Sequence, residues 1–131
     1  MANTPTQKWR ESLDGWGIPQ EILDQAPQSP WIHPPESFKP DNDLNPNTPS
    51  WIRANEALLD AGQKPTVLDV GCGGGRASLG LVPPAAHITG VDHQQSMLDL
   101  FVSEAASRSI AVSTIFGKWL DVAHQAPICD V

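Results

Sequence analysis

The sequence predicts an α/β protein: a Rossmann-like parallel sheet with flanking helices, preceded by short N-terminal helices. Three short apolar segments, 66–70, 87–91 and 110–116, have the length and composition of buried strands. A glycine-rich turn follows the first segment, and an amphipathic helix over 94–107 is predicted between the second and the third. Strands and helices that alternate at this spacing predict right-handed crossovers within one parallel sheet.

The N-terminal part is predicted to be helical and then irregular. Two short helices are expected within residues 1–26, the first capped by Thr6 and the second beginning at Pro19. Residues 27–49 hold seven of the thirteen prolines, which predicts loop or extended chain because proline lacks an amide donor. The apolar side chains in this stretch indicate that it packs over another part of the molecule.

The remaining elements are predicted from capping residues and apolar spacing. A third helix is expected from Thr48 to its glycine cap at Gly62, a helix start at 76–81, a helical turn at 119–124 and a fourth strand from 127. The apolar positions expected to face the core are Trp51, Ile52, Ala54, Leu58 and Leu59 on the third helix, and Met97, Leu98, Phe101, Val102 and Ala105 on the helix over 94–107.

Composition excludes several classes of function. The net charge is −7 with only eight basic residues, so a nucleic-acid partner is not expected. Two cysteines and four scattered histidines have no metal-site spacing, and no metal is predicted. We find no signal peptide and no apolar run long enough to cross a bilayer, so a cytoplasmic protein without a membrane partner is predicted.

The stretch TVLDVGCGGGRAS, residues 66–78, is the most informative part of the chain. A dinucleotide turn would need glycine at the third position of G-x-G-x-x-G, where Arg76 stands after Gly71 and Gly73. A triphosphate loop would need a lysine after the turn, and none follows before Lys118. Neither phosphate-binding pattern fits.

Asp69 favours a ligand with a cation or an amine, and Asp92 favours one with a ribose. Asp69 stands two residues before Gly71, where its charge would repel a pyrophosphate but attract a cation or an amine. S-adenosylmethionine carries both a sulfonium and an α-amino group and has no phosphate. Asp92 follows Gly71 by 21 residues, near the spacing of a carboxylate that binds ribose hydroxyls. Asp92 could equally cap the helix that follows it.

Together, VLDVGCGGG, TGVDHQQSML and FGKWLDVA resemble the N-terminal half of a class I S-adenosylmethionine-dependent methyltransferase, over about residues 50–131. The resemblance implies S-adenosylmethionine as cofactor and methyl transfer as activity, with no catalytic residue assigned. The cofactor-binding residues that it implies are Asp69, Gly71, Cys72, Gly73, Gly75, Asp92, His93, Met97, Gly117, Lys118 and Trp119. Lys118 departs from the family, which often has an acidic residue there to accept from the adenine amino group. Backbone groups are therefore expected to bind the adenine.

The resemblance also implies an organisation. Residues 1–49 are predicted to be a cap on the substrate side, and residues 50–131 the cofactor-binding domain. The family's sheet has seven strands in the order 3-2-1-4-5-7-6, so a fragment ending at strand four is expected, and we predict that it folds poorly or binds cofactor weakly. A small-molecule acceptor is the default. A non-catalytic cofactor- or partner-binding fragment and an NAD-dependent oxidoreductase domain remain alternatives.

Overall fold

The computed structural model describes residues 2–46 and 48–131, which fall into two compact units that divide after His33. The first unit contains helix α1, Pro5–Gly15, and the single helical turn α2, Gln20–Leu23. The cap of α1 is Thr4, not Thr6 as predicted, because Thr4 and Gln7 form a reciprocal capping box. Gln7 N donates to Thr4 Oγ1 at 3.2 Å, and Thr4 N donates to Gln7 Oε1 at 2.7 Å.

The second unit, Pro34–Val131, contains the sheet. Its elements are a 3₁₀ turn at Pro35–Phe38, α3 (Thr48–Ala61), β1 (Thr66–Val70), a 3₁₀ turn at Leu79–Leu81, β2 (His87–Asp92), α4 (Gln95–Ser107), β3 (Val112–Phe116), α5 (Trp119–Val122) and a 3₁₀ turn at Ala123–Gln125. Gly62 closes α3 in a left-handed conformation, as predicted, with its N–H donating to Leu58 O.

The three strands form one parallel sheet in the order β1-β2-β3, as predicted. Leu68 pairs with Thr89, and Thr89 pairs with Ser113, so the side chains at these three positions lie on the same face of the sheet. Residues 127–131 do not form the predicted fourth strand. Their last two residues nevertheless bond to the free side of β1: Val131 O accepts from Leu68 N at 2.9 Å, and Asp130 N donates to Thr66 O at 3.1 Å.

The core lies between one face of the sheet and α4. Phe101 and Leu98 of α4 are buried against Val67 and Ile88 of the strands. The predicted inner face of α4 is confirmed for Met97, Leu98, Phe101 and Ala105 but wrong for Val102, which is about half exposed. The prediction for α3 was less accurate, because Ala54 and Ala57 are its buried residues while Trp51, Ile52 and Leu59 are exposed.

The helix predicted to begin after the glycine turn is absent. Residues 76–81 form turns that end in the 3₁₀ turn Leu79–Leu81. Gly80 and the Pro83–Pro84 pair leave too few residues for hydrogen bonds of the α type to propagate. The chain instead crosses from β1 to β2 through irregular structure.

Among the described residues, no helix is long and apolar enough to cross a membrane.

Candidate functional site

The predicted site residues meet at the carboxyl edge of the sheet, where β1, β2 and β3 end. Asp69 pairs with Gly90 across β1 and β2, and Asp92 is the last residue of β2. Gly117 follows β3, and its N–H donates to Asp92 O at 2.9 Å. In parallel α/β sheets, ligands bind at this edge.

Asp92 is bound on both carboxylate oxygens by backbone N–H groups. Gly73 N donates to Oδ2 at 3.0 Å and Gln94 N donates to Oδ1 at 2.9 Å, and the side chain is only 10% exposed. The capping alternative is not borne out, because Gln94 is the N-cap of α4 and Asp92 lies outside the helix. A carboxylate offers about four acceptor positions, so two remain for other donors.

The glycine turn is open at its start and closed at its end. A Cβ placed on Gly71, whose φ is +77°, would meet no atom within 4 Å, so this backbone can be approached from outside. A Cβ on Gly74 would lie 2.5 Å from Phe38 O, and one on Gly75 would lie 2.7 Å from Leu79 Cγ. The turn is held in place because Gly71 N and Cys72 N both donate to Val91 O.

Asp69 is a poorly solvated carboxylate that lacks a hydrogen bond on one oxygen. Within residues 2–46 and 48–131, its Oδ2 atom is buried and has no hydrogen-bond partner. Burial raises the pKa of Asp69, the nearby Ser78 hydroxyl opposes that rise, and the charge of Asp92 adds to it. An unpartnered buried acceptor of this kind is suited to a cationic hydrogen-bond donor.

Cys72 is a packing residue with an unreactive thiol. Its side chain is buried, and burial together with the charges of Asp69 and Asp92 raises the pKa of Cys72 to about 12. A Cβ on Gly90 would lie 2.8 Å from its sulfur, so the thiol fills space beside β2. Because the thiolate is the nucleophilic form, covalent catalysis by Cys72 is disfavoured.

The residues expected around an adenine differ in exposure. His93 is more than half exposed, with Nδ1 3.7 Å from Asp92 Oδ1, whereas Met97 is buried in α4. Lys118 is exposed and forms the N-cap of α5, and Trp119 is half-buried at its first turn. Gly117 could not carry a side chain, since its Cβ would collide with Val122 Cγ1.

Two residues at the site were not predicted from the sequence. Phe38 covers the glycine turn, because its own Cβ is 3.4 Å from where a Cβ on Gly73 would lie. Its only signal was an apolar residue within the proline-rich stretch. Ser78, at 2% exposure, places a buried hydroxyl near Asp69. Its signal was a polar residue between apolar ones, Ala77 and Leu79.

Arg76 stands at the position where the dinucleotide pattern needs glycine, and its contacts do not indicate phosphate binding. Its guanidinium forms an ion pair with Asp41 at 3.3 Å, and both side chains are more than half exposed. The described residues contain no group of three or more side chains able to hold a metal ion.

A family model described as a methyltransferase domain matches residues 67–130. This part of the chain is similar to the methyltransferase domain of class I, Rossmann-like methyltransferases. The curated relatives include the ubiquinone biosynthesis O-methyltransferases of Dechloromonas aromatica, 43% identical over 52% of this chain and 28% of the relative, and of Marinobacter nauticus, 40% identical over 58% and 30%.

The solved structures agree on the fold. The bifunctional kinase-methyltransferase WbdD superposes with a TM-score of 0.54 and 23% identity over 82% of this chain and 25% of that protein. The chain spans less than a third of the length of the two methyltransferases from D. aromatica and M. nauticus. The region matched by the family model, residues 67–130, covers β1, the glycine turn, β2 and β3, which are the elements that form the candidate site.

Proposed function

We propose that the protein containing these residues transfers a methyl group from S-adenosylmethionine to a small-molecule acceptor, and that this chain supplies the cofactor-binding site. The observation that carries the proposal is the pair of carboxylates beside the glycine turn, Asp69 in β1 and Asp92 at the end of β2. Asp92 keeps free acceptor positions beside an open backbone, and Asp69 keeps a buried oxygen without a partner among the described residues.

The residues present fit the chemical parts of this cofactor. The free acceptor positions of Asp92 suit the two hydroxyls of a ribose. The open backbone at Gly71 allows close approach, and the unpartnered oxygen of Asp69 suits an ammonium group. For the adenine we propose a border formed by His93, Met97, Gly117, Lys118 and Trp119, with Cys72, Gly73 and Gly75 shaping the turn.

When bound, the cofactor supplies a methyl group attached to its sulfonium sulfur. As the acceptor bonds to the methyl carbon, the carbon–sulfur bond breaks and its electron pair goes to the sulfur. The chain's own contribution is to hold and orient that group and to exclude water. Residues of the glycine turn provide no general base, since the Cys72 thiol stays protonated at neutral pH. We therefore place the activation of the acceptor outside the described site.

The names of the curated relatives, which specify O-methylation in ubiquinone biosynthesis, support a proposal for the acceptor class. We propose a hydroxyl group on a small molecule as the acceptor. The net charge of −7 supports this over nucleic acid. A cytoplasmic location remains a prediction. Two observations disfavour NAD as the ligand. Two carboxylates border the turn, where their charge would repel a pyrophosphate, and Arg76 forms an ion pair with Asp41 on the surface.

Isothermal titration of the chain with S-adenosylmethionine, and separately with NAD, tests the proposal. We expect the first ligand to bind and the second to give no heat. The Asp92→Asn variant should bind S-adenosylmethionine about 10- to 100-fold more weakly, because a hydrogen bond to a charged group contributes roughly 1.5–3 kcal/mol.

Asp99→Asn is the matched control. Asp99 is an exposed carboxylate on α4, and in the described part of the chain its side chain accepts a hydrogen bond from Gln95. It should bind like the wild type. Near-ultraviolet circular dichroism of the tryptophans checks that each variant is folded. Equal loss in both variants, or preference for NAD, would refute the proposal.

A further inference from the structure

Residues 38–42, the covering segment, run from the glycine turn to the carboxyl end of α4. At one end of the segment, Phe38 packs on the turn. Its Cβ lies 3.4 Å from where a Cβ on Gly73 would lie, and its carbonyl oxygen 2.5 Å from where a Cβ on Gly74 would lie. Because Gly74 has no side chain, the backbones of the segment and the turn are in direct contact.

The other end of the covering segment is bound by Arg108, the C-cap residue of α4. Its Nη2 atom donates to Asp41 O at 3.1 Å, and its Nη1 atom donates to Asn42 O at 3.3 Å. The same guanidinium pairs with Glu104, one helical turn earlier, at 3.1 Å, and neither side chain is more than 20% exposed. A planar guanidinium holds several acceptors in a fixed geometry, which an ammonium group does not.

The link between the two ends is short and stiff. Only Lys39 and Pro40 separate Phe38 from Asp41. Lys39 is extended, and its Nζ atom lies 3.6 Å from Glu104 Oε1. Pro40 is buried, and its ring fixes the φ angle of the backbone. A shift of the backbone at Asp41 would therefore move Phe38.

We propose that Phe38 and Arg108 are positioning residues for Asp92. Arg108 fixes the covering segment, the segment keeps Phe38 on Gly73, and Gly73 N donates to Asp92 Oδ2 at 3.0 Å. Glycine has many alternative conformations, so Gly73, with a φ of +52°, needs an outside contact to keep its N–H directed at the carboxylate. The inference deepens the proposed function and rests on it for the identity of the ligand.

A second arginine reaches the covering segment, but it is exposed. Arg76 pairs with the Asp41 carboxylate at 3.3 Å, and both side chains are more than half exposed. Arg108 is mostly buried and binds main-chain carbonyl groups. A mostly buried charged donor binds more strongly than an exposed pair that solvent screens, so we assign the anchoring role to Arg108.

The first test needs no ligand and follows the Gly73 N–H itself. Amide hydrogen exchange of the 131-residue chain is measured by nitrogen-15 NMR. We expect Phe38→Ala to speed exchange at Gly73 about tenfold, the size of one lost hydrogen bond. The amides of Gly71 and Cys72 should keep their wild-type rates, because both are bound to Val91 O of β2.

Matched variants separate the ring of Phe38 from its anchor. Phe38→Leu, which keeps an apolar side chain, should restore slow exchange at Gly73. Arg108→Met should speed exchange at Gly73, since methionine removes the donors and keeps a long side chain. Arg53→Gln, at an exposed arginine of α3, should leave the rate unchanged.

Two results would overturn the positioning role. One is a wild-type rate at Gly73 in Phe38→Ala. The other is equal acceleration at Gly71, Cys72 and Gly73, which would indicate general destabilisation. If Phe38→Ala speeds exchange and Arg108→Met does not, the part assigned to Arg108 is refuted.

The second test asks whether Phe38 acts through Asp92. Phe38→Ala should weaken S-adenosylmethionine about tenfold in isothermal titration, and Phe38→Leu should restore the affinity. In an Asp92→Ala background, Phe38→Ala should cause little further loss, because no carboxylate remains for Gly73 to hold. Additive losses would overturn the inference, since they would indicate that Phe38 contacts the ligand by itself.

The two proposals fail in different ways. If S-adenosylmethionine does not bind to the wild-type chain while exchange at Gly73 still responds to Phe38→Ala, the proposed function fails and the effect of Phe38 on the turn stands. If S-adenosylmethionine binds and exchange at Gly73 does not respond, the proposed function stands and the positioning role is refuted.

Discussion

The ends of β1 and β2 lie side by side at one edge of the sheet, yet they present their carboxylates in opposite ways. At the end of β2, Asp92 is fixed by two backbone N–H groups, from Gly73 and Gln94. In β1, Asp69 is half-buried, its buried Oδ2 atom has no hydrogen-bond partner among the described residues, and its pKa is raised by burial. Asp92 is thus held in place by the fold itself, whereas Asp69 keeps an oxygen without a hydrogen-bond partner in the described part of the chain.

The difference arises from what surrounds each strand end. The end of β2 lies between the glycine turn and α4, where Phe101 and Cys72 press so closely on Gly90 that a Cβ there would lie 2.7 Å from the ring. The end of β1 borders a cleft that Ser78 lines. The packed end of β2 holds Asp92 through two backbone N–H groups, whereas Asp69 borders this cleft.

The largest expected effect comes from removing the packing that fixes β2. Phe101→Ala should lower the free energy of unfolding by about 3–5 kcal/mol, as is usual when a buried phenylalanine is truncated. Urea unfolding followed by tryptophan fluorescence measures it. The control is Phe116→Ala at the exposed end of β3, which should cost far less. Similar losses for the two variants would contradict the proposed basis of the β2 geometry.

A smaller effect is expected in the turn that joins the two regions. A Cβ on Gly74 would lie 2.5 Å from Phe38 O and 2.8 Å from Leu100 Cδ2, so Gly74→Ala should destabilise the fold by about 1–3 kcal/mol through overpacking. Gly71→Ala has open space and should cost only about 1 kcal/mol, from its positive φ. If Gly71→Ala proved the more destabilising in urea, the closed end of the turn would not be the rigid part.

These positions show what the sequence could and could not predict. The strands, α4 and the glycine turn were predicted because apolar period and glycine spacing are local signals. The apolar residues of the proline-rich stretch predicted that it packs over another part of the molecule, but the position of Phe38 over the glycine turn depends on contacts between residues distant in sequence, which no local pattern contains. Ser78 went unnoticed for the same reason. The helix after the turn was wrongly predicted because Arg76–Leu81 has helical composition, but the neighbouring glycines and prolines prevailed.

The third prediction separates the two carboxylates by pH. A raised pKa means that Asp69 favours the folded state when protonated, so its contribution to stability is present at low pH and is lost as the pH rises through its folded pKa. Asp69→Asn should therefore be more stable than wild type at neutral pH, with the difference vanishing below pH of about 4, where both side chains are uncharged. Thermal unfolding across this range measures the difference.

Asp99→Asn serves as the exposed control and should show no such pH-dependent gain. A variant at position 69 that is less stable than wild type at neutral pH would mean that the Asp69 charge is already satisfied within the fold. The contrast with Asp92 would then disappear.

The smallest effect is expected at the rim of the turn, where Arg76 pairs with Asp41 on the segment that contains Phe38. Both side chains are more than half exposed, so Arg76→Gln should cost less than about 1 kcal/mol, and the loss should shrink in 1 M salt because exposed ion pairs are screened. Arg53→Gln, which removes the exposed pair with Glu56 on α3, is the matched control in urea unfolding.

A loss above about 2 kcal/mol for Arg76 alone would show that this ion pair, and not the contact of Phe38 with the glycines, holds the segment over the site. The covering segment would then depend on charge, and cofactor affinity would fall as salt rises. If the loss is small, the segment is kept in place by its other contacts, which are the packing of Phe38 on Gly73 and Gly74 and the hydrogen bonds from Arg108 to Asp41 O and Asn42 O.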